Sequence, residues 1–204
     1  MSDARGWFRQ LISSPIRVVL IVAVVAGLVW WQWPTIDNED SRTDVVLLTD
    51  QFMTSAEQPV TYRIHEDGRS LIWDSGATSW CDAAQAVRKV AHDVDPAAIV
   101  LSFGTATGCD ATAVADAVRA ADGHRVVVVS QPGGSGVEAA AGQAGATVID
   151  PTRFIGDQPV ATSMPCQWWD TCTADGTVPV RAADGALTPE GADRVGRMIV
   201  AELP

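Results

Sequence analysis

Residues 44–50 read Asp-Val-Val-Leu-Leu-Thr-Asp, a short apolar run between two acids. A run of this kind is typical of a parallel strand that is covered on both faces. Four similar runs follow, at 70–73, 98–103, 125–130 and 146–149. Helical patterns separate or follow them, at 57–67, 79–93, 110–121, 136–143 and 189–202. The alternation predicts an α/β fold, a three-layer sandwich around a five-stranded parallel sheet.

Local signals mark where some of these helices begin. Ser79, Asp110 and Thr188 are predicted N-caps because each can accept a hydrogen bond from the first helical turn. Pro189 suits the first turn of the last helix. The stretch 150–187 shows no clear period, and we expect it to be irregular and to fold over the carboxyl edge of the sheet.

We assign the α/β domain to residues 44–204. A predicted membrane segment precedes it in the chain. Residues 18–31 are uninterruptedly apolar, and with their flanks they predict a transmembrane signal-anchor at 16–33. The alternative is a cleaved signal peptide, but bulky tryptophans follow the run where cleavage needs small residues. The predicted partner of 16–33 is therefore the lipid bilayer.

Charge predicts the orientation of that anchor. Arg5, Arg9 and Arg17 lie before the apolar run, whereas all but one of the 25 acidic residues follow it. By the positive-inside rule, residues 1–15 form a cytoplasmic tail and the domain lies outside, after a polar linker at 34–43. We therefore expect a single-pass protein of the cell membrane with an extracytoplasmic domain.

Composition limits the ligands. The net charge of −11 excludes nucleic acid as the main partner, because no basic stripe is present. His65, His92 and His124 are isolated, so no metal site is predicted. The turn at 131–136 lacks the lysine of a phosphate-binding P-loop, and we predict no cofactor. Lys89 is the only lysine beside many arginines, which favours a high-GC bacterium such as an actinobacterium.

Four cysteines in an exported domain predict two disulfides. Three pairings are possible. Cys166 and Cys172 are close enough along the chain to be joined by a loop, and Cys81 and Cys109 would lie off the same edge of the sheet. We favour this pairing over the other two.

Ligands of open parallel sheets bind beyond the carboxyl ends of the strands. The residues at those ends are Asp50-Gln51, Gly76, Gly104–Thr107 and Ser130–Gly134. Trp73 and Trp80, in contrast, are predicted to lie in the core. Trp168 and Trp169 lie between two cysteines and either stack on a sugar ring or acyl chain or simply cover the sheet edge.

Three segments resemble the conserved blocks of the SGNH (GDSL-like) hydrolase family across residues 44–203. Residues 49–52 (Thr-Asp-Gln-Phe) are similar to its Gly-Asp-Ser block, and residues 103–107 (Phe-Gly-Thr-Ala-Thr) to its Gly-x-Asn-Asp block. Residues 184–191 (Asp-Gly-Ala-Leu-Thr-Pro-Glu-Gly) are similar to its terminal Asp-x-x-His-Leu-Thr-Pro-Glu-Gly block. Gly76 resembles the glycine of its second block.

The resemblance implies ester hydrolysis or acyl transfer by a serine, a histidine and an aspartate, with backbone, glycine and asparagine donors for the oxyanion. In this chain the serine corresponds to Gln51 and the asparagine to Ala106. The aspartate corresponds to Asp184, and the histidine to Ala186 or to a deletion before Leu187. Because loss of nucleophile or base costs several orders of magnitude in rate, we predict an SGNH-like fold without the family's catalysis.

The sequence thus predicts a membrane-anchored, extracytoplasmic SGNH-like protein that binds or scaffolds a cell-envelope glycan, an acylated polymer or an envelope protein. The candidate cleft residues are Asp50, Gln51, Gly76, Gly104, Thr105, Thr107, Trp168, Trp169 and Asp184. One alternative is an active esterase or acyltransferase with a substitute set drawn from Asp50, Thr107, Ser130 and Asp184. Another is a structural membrane protein with no ligand.

Overall fold

The computed structural model describes residues 43–77, 79–104, 109, 111–131 and 135–204, except the side chains of Gln51, Phe52 and Ser135. The predicted tail, the anchor and all but the last residue of the linker lie outside these ranges. Within the ranges, no helix has both the length and the apolar character needed to cross a bilayer.

The predicted five-stranded parallel sheet is confirmed. Its strands are β1 (Val45–Thr49), β2 (Leu71–Asp74), β3 (Ala98–Ser102), β4 (Arg125–Val129) and β5 (Thr147–Ile149), in the spatial order β2-β1-β3-β4-β5. Leu47 of β1 lies opposite Trp73 of β2 on one side and Val100 of β3 on the other. Each strand begins and ends within one residue of its predicted bounds, because the apolar runs and their polar boundaries are local signals.

Helices cover both faces of the sheet. On the first face lie α2 (Trp80–Asp93), α3 (Ala111–Arg119) and α4 (Ser135–Gln143); on the second lie a 3-10 helix (Gln51–Ala56), α1 (Glu57–Glu66) and α6 (Pro189–Glu202). A hydrophobic core lies on each face of the sheet, and alternate residues of β1 pack into the two cores. Val46 and Leu48 lie in the first core, and Val45 and Leu47 lie in the second. This arrangement is consistent with three layers.

The predicted N-cap positions of α2 and α6 are confirmed, but one of the two side chains does not make the predicted hydrogen bond. Thr188 caps α6, since its Oγ1 accepts the N–H of Gly191 at 3.1 Å. Ser79 is the N-cap of α2, yet its side chain accepts no capping hydrogen bond. Its hydroxyl instead donates to Asp82 Oδ2 at 3.2 Å, a charged acceptor in the first turn. Asp110 lies outside the described residues.

The prediction that 150–187 is irregular is wrong. The stretch contains the short helix α5 (Thr152–Ile155) and an antiparallel hairpin of β6 (Thr162–Pro165) and β7 (Thr177–Arg181). Val178 and Val180 of β7 are fully buried in the second core, beside α6. Both strands contain a proline, which weakens a strand prediction from sequence.

The start of α6 touches the backbone of β7, and this contact supports a stability prediction. A Cβ at Gly191 would lie 2.1 Å from the carbonyl oxygen of Val180, so one of the two elements would have to shift. We expect Gly191→Ala to lower the free energy of unfolding by about 1–3 kcal/mol in urea titrations.

Gly142→Ala in α4 is the matched control, because the nearest atom to its Cβ would be 4.0 Å away. There the helix propensity of alanine should raise the stability by about 0.5 kcal/mol. Equal effects of the two substitutions would contradict the proposed clash.

Candidate functional site

The carboxyl ends of β1 and β3 lie side by side at the centre of the sheet. The chain moves to one side of β1 to form β2 and then returns past it to form β3, so this is the point where the strand order reverses. Open α/β sheets bind ligands at such a point. Asp50 follows β1 there, and Gly104 lies just beyond β3.

Asp50 and Gly104 are joined by a hydrogen bond. The Gly104 N–H donates to Asp50 Oδ2 at 2.6 Å, and the Asp50 N–H donates to the Ser102 carbonyl at 3.4 Å. A Cβ at position 104 would lie 3.0 Å from Asp50 Oδ2, which explains why a glycine suits this close approach. The carboxylate therefore ties the two central strand ends together.

Buried polar side chains support this pair. Thr49 Oγ1 donates to the Ser102 carbonyl at 2.8 Å, and Gln131 Nε2 lies 3.5 Å from Ser102 Oγ. Ser130 is 2% exposed, and its Oγ has no hydrogen-bond partner among the described residues. We call Thr49, Asp50, Ser102, Gly104 and Gln131 the strand-end cluster. Thr49 and Ser102 were missed from sequence, although their position at the last residue of a strand was an available signal.

Several residues predicted for the carboxyl edge of the sheet are not among the residues that the structure describes, or are described only in their backbone. Thr105, Ala106 and Thr107 are among the residues not described, and so is the side chain of Gln51. The backbone of Gln51 begins the 3-10 helix that follows Asp50. Their proposed roles remain predictions.

Gly76 lies beyond β2, the edge strand. Its N–H donates to Asp74 Oδ1 at 2.7 Å. Both residues line an open groove of about 450 Å³ between β2 and α2. The half-exposed Ile72 and the exposed Lys89 also line this groove. Gly76 is thus placed beside a groove of mixed apolar and charged character.

Asp184 and Ala186 lie in the tight connection from β7 to α6. Asp184 Oδ1 accepts the N–H of Ala186 at 3.0 Å, and the Ala186 carbonyl accepts the N–H of Ala182 at 2.9 Å. Gly185 between them has a φ of +83°, and a Cβ there would lie 2.3 Å from the Pro159 carbonyl oxygen. The carboxylate of Asp184 therefore shapes its own turn.

The disulfide loop, residues 166–172, holds the two adjacent tryptophans. The structure pairs Cys166 with Cys172 and Cys81 with Cys109, the pairing favoured from sequence. Trp169 is half-buried, and the Arg197 guanidinium of α6 lies 5.4 Å from its ring centroid. Trp168 is 89% exposed. The loop thus packs against α6 through Trp169.

A buried ion pair holds this loop to α6. Arg194 and Asp170 are joined there, and their side chains are only 1% and 3% exposed. Arg194 also donates to the carbonyls of Phe154 and Pro165. Burial opposes ionisation of Asp170, but hydrogen bonds from Arg194 and from the Gln167 N–H outweigh it and hold the pKa of Asp170 below its ordinary value.

All three histidines lie at the amino edge of the sheet, away from the strand-end cluster. His65 and His92 are in the last turns of α1 and α2, each of which leads back to the start of a strand. His124 directly precedes β4, and its Nε2 lies 3.0 Å from Asp95 Oδ1. Among the described residues, no cluster of histidine, cysteine and acidic side chains could hold a metal ion.

Comparisons with known proteins add little. No family model matches the chain, and no curated protein matches it. The chain is similar to the crystal structure of a pilus assembly-related protein from Burkholderia pseudomallei, with 11% identity and a TM-score of 0.42 over 81% of this chain and 95% of that chain. A likeness of this level carries no functional argument.

Proposed function

We propose that this chain is a membrane-anchored, extracytoplasmic protein with an SGNH-like domain that binds or scaffolds an envelope component without cleaving it. The bound component is an envelope glycan, an acylated polymer or an envelope protein, and the source is actinobacterial. The observation that carries the proposal is the position of the histidines. A general base must come within hydrogen-bond reach of its nucleophile, and all three imidazoles lie at the opposite edge of the sheet.

The polar strand-end cluster supports a binding role. Its Asp50–Gly104 bond occupies the point at which open α/β sheets take ligands. A polar cluster held by hydrogen bonds at this place suits the orientation of a ligand, whereas ester cleavage also needs an activated nucleophile. The sequence offers Gln51 where the resembled family has its serine.

The second candidate is an active esterase or acyltransferase that uses other residues. The observation in its favour is the hydroxyl of the buried Ser130, next to the strand-end cluster, which has no hydrogen-bond partner among the described residues. Asp50, Thr107 and Asp184 complete the set of groups that such an enzyme could use. An esterase or acyltransferase should turn over a simple ester, whereas a protein that only binds should not.

Hydrolysis of p-nitrophenyl acetate by the full chain in detergent tests the proposal. We expect the wild type to match a heat-denatured sample. A repaired variant combines Gln51→Ser with a histidine inserted before Leu187, and a second version uses Ala186→His because the turn there is tight. We expect a repaired variant to exceed the wild type by about tenfold or more, since serine and base act as a unit.

The matched control carries the same histidine with Gln51→Ala and should remain silent. Turnover by the wild type above the denatured sample would overturn the binding proposal, and Ser130→Ala and Asp50→Asn would then identify the substitute groups. If the repaired variants do not hydrolyse the ester and their melting temperature is unchanged, the catalytic positions inferred from the family resemblance are wrong.

A further inference from the structure

Trp168 is the most exposed large apolar side chain of the described residues. It is 89% exposed, compared with 61% for Tyr62 and 54% for Val160. We propose that Trp168 is a stacking platform for a sugar ring of a neutral glycan. This inference rests on the proposed binding function and names its ligand class and contact residue.

The loop holds Trp168 in water by fixing the residues on both sides of it. The Cys166–Cys172 bond closes the loop, and the Gln167 N–H donates to Asp170 Oδ2 at 2.6 Å. Asp170 is in turn locked to α6 by its buried ion pair with Arg194. An indole on such a loop loses little conformational entropy on binding, because its backbone is already ordered.

Trp169 completes this platform. Its ring packs between Arg197 and Trp168, whose centroid lies 5.3 Å away at an interplanar angle of 81°. The edge-to-face contact sets the direction of Trp168 but uses little of its surface, as the exposure of the ring shows. Because the residue is 89% exposed, most of the indole surface remains open to a ligand.

The surroundings of Trp168 favour a sugar over an acyl chain or a protein. Thr171, Thr173 and Asp175 follow it closely in the chain and are exposed, so polar groups are near it in the sequence. A sugar ring presents C–H bonds to an aromatic face and hydroxyls to polar neighbours. An acyl chain needs a concave apolar site, and a stable protein interface needs a broader apolar area than one ring.

Asp175 supplies an oriented acceptor near the loop. Thr173 and Thr177 donate to Asp175 Oδ1, the second through its hydroxyl at 3.0 Å and its N–H at 3.4 Å. These bonds, led by that of the Thr173 hydroxyl, hold the pKa of Asp175 below its ordinary value. These three hydrogen bonds end on Oδ1 and orient the exposed carboxylate, which we expect to accept a sugar hydroxyl.

Charge argues for a neutral ligand. The chain carries a net charge of −11, which repels anionic lipid and anionic polymers at the low ionic strength where such forces reach furthest. A bilayer surface rich in anionic lipid is therefore disfavoured as the partner of Trp168, although tryptophan is common at membrane interfaces.

The test is a titration of the full chain, purified in detergent, with three neutral probes: chitotetraose, cellotetraose and maltotetraose. Calorimetry gives the dissociation constants. In NMR spectra, the indole N–H signal that disappears in Trp168→Phe belongs to Trp168, and its shift on titration reports contact with the ring. We expect at least one sugar to bind and to shift that resonance. Trp168→Ala should weaken the binding by about tenfold or more, and Trp168→Phe should weaken it less because it retains a ring.

Tyr62→Ala is the matched control, because this exposed ring lies on α1 and not on the disulfide loop, and it should leave binding unchanged. Failure of all three sugars to shift the Trp168 resonance would overturn the inference, as would an equal loss in Tyr62→Ala. Binding to phosphatidylglycerol vesicles that depends on Trp168, without sugar binding, would overturn it in favour of the bilayer. Sugar binding together with ester turnover would instead overturn only the proposed absence of catalysis.

Discussion

Asp170→Ala should lower the free energy of unfolding by about 3–5 kcal/mol, because it leaves the buried guanidinium of Arg194 without its counter-charge. The two side chains are 1% and 3% exposed, so water cannot take the place of the carboxylate. Urea titration followed by tryptophan fluorescence measures the change.

Asp116→Ala provides the matched control for this ion pair. Asp116 lies 3.2 Å from Arg119, but the arginine and aspartate side chains are 65% and 57% exposed. Removal of such a surface pair should change the stability by less than about 0.5 kcal/mol. Similar losses for Asp170→Ala and Asp116→Ala would show that burial does not strengthen the pair at position 170.

The same ion pair should make stability depend on pH. Because the pKa of Asp170 is lower in the folded than in the unfolded chain, the stabilisation is complete above the ordinary aspartate value of about 4. It is lost as the pH falls further, through the lowered pKa. We expect the wild type to lose stability more steeply in this range than Asp170→Asn, and parallel curves would contradict the assignment.

Trp80→Ala should lower the free energy of unfolding by about 3–5 kcal/mol, because it opens a large cavity in the first core. Trp80 is 1% exposed, and its ring packs edge-to-face on Phe103 with centroids 5.1 Å apart. Thermal and urea unfolding should both show the loss.

Trp168→Ala is the control of the same residue type. With its side chain 89% exposed, it should change the stability by no more than about 0.5 kcal/mol. A large loss in this variant would mean that Trp168 supports the fold, and the surface role proposed for it would then lose its basis.

The candidate site was predictable only in part. Asp50 and Gly104 were found because they follow apolar strands, and the carboxyl ends of parallel strands share one edge. The hydrogen bond between them depends on the adjacency of β1 and β3, which are separated in the chain by the 3-10 helix, α1, β2 and α2. No local pattern contains that adjacency.

The burial of two arginines could not be predicted from the sequence, for a similar reason. Arg181 and Arg194 are each 2% exposed, although arginine is mostly a surface residue. Arg181 donates to the Ile155 and Gly185 carbonyls, and burial lowers its pKa. Most of their acceptors, in α5, β6 and the disulfide loop, lie 24 or more residues away in the chain, so only the folded structure shows why a charge is tolerated inside.

The amino-acid sequence alone determined the α/β class, the bounds of the five strands and the polar character of the strand ends. These follow from hydrophobic runs and helix-start residues, which act over a few neighbours in the chain. The tertiary structure decided the strand order, the β6–β7 hairpin and the packing of Trp169 against Arg197 of α6. Those features depend on contacts between distant residues, such as the Asp170–Arg194 pair, whose strength comes from burial that a sequence does not display.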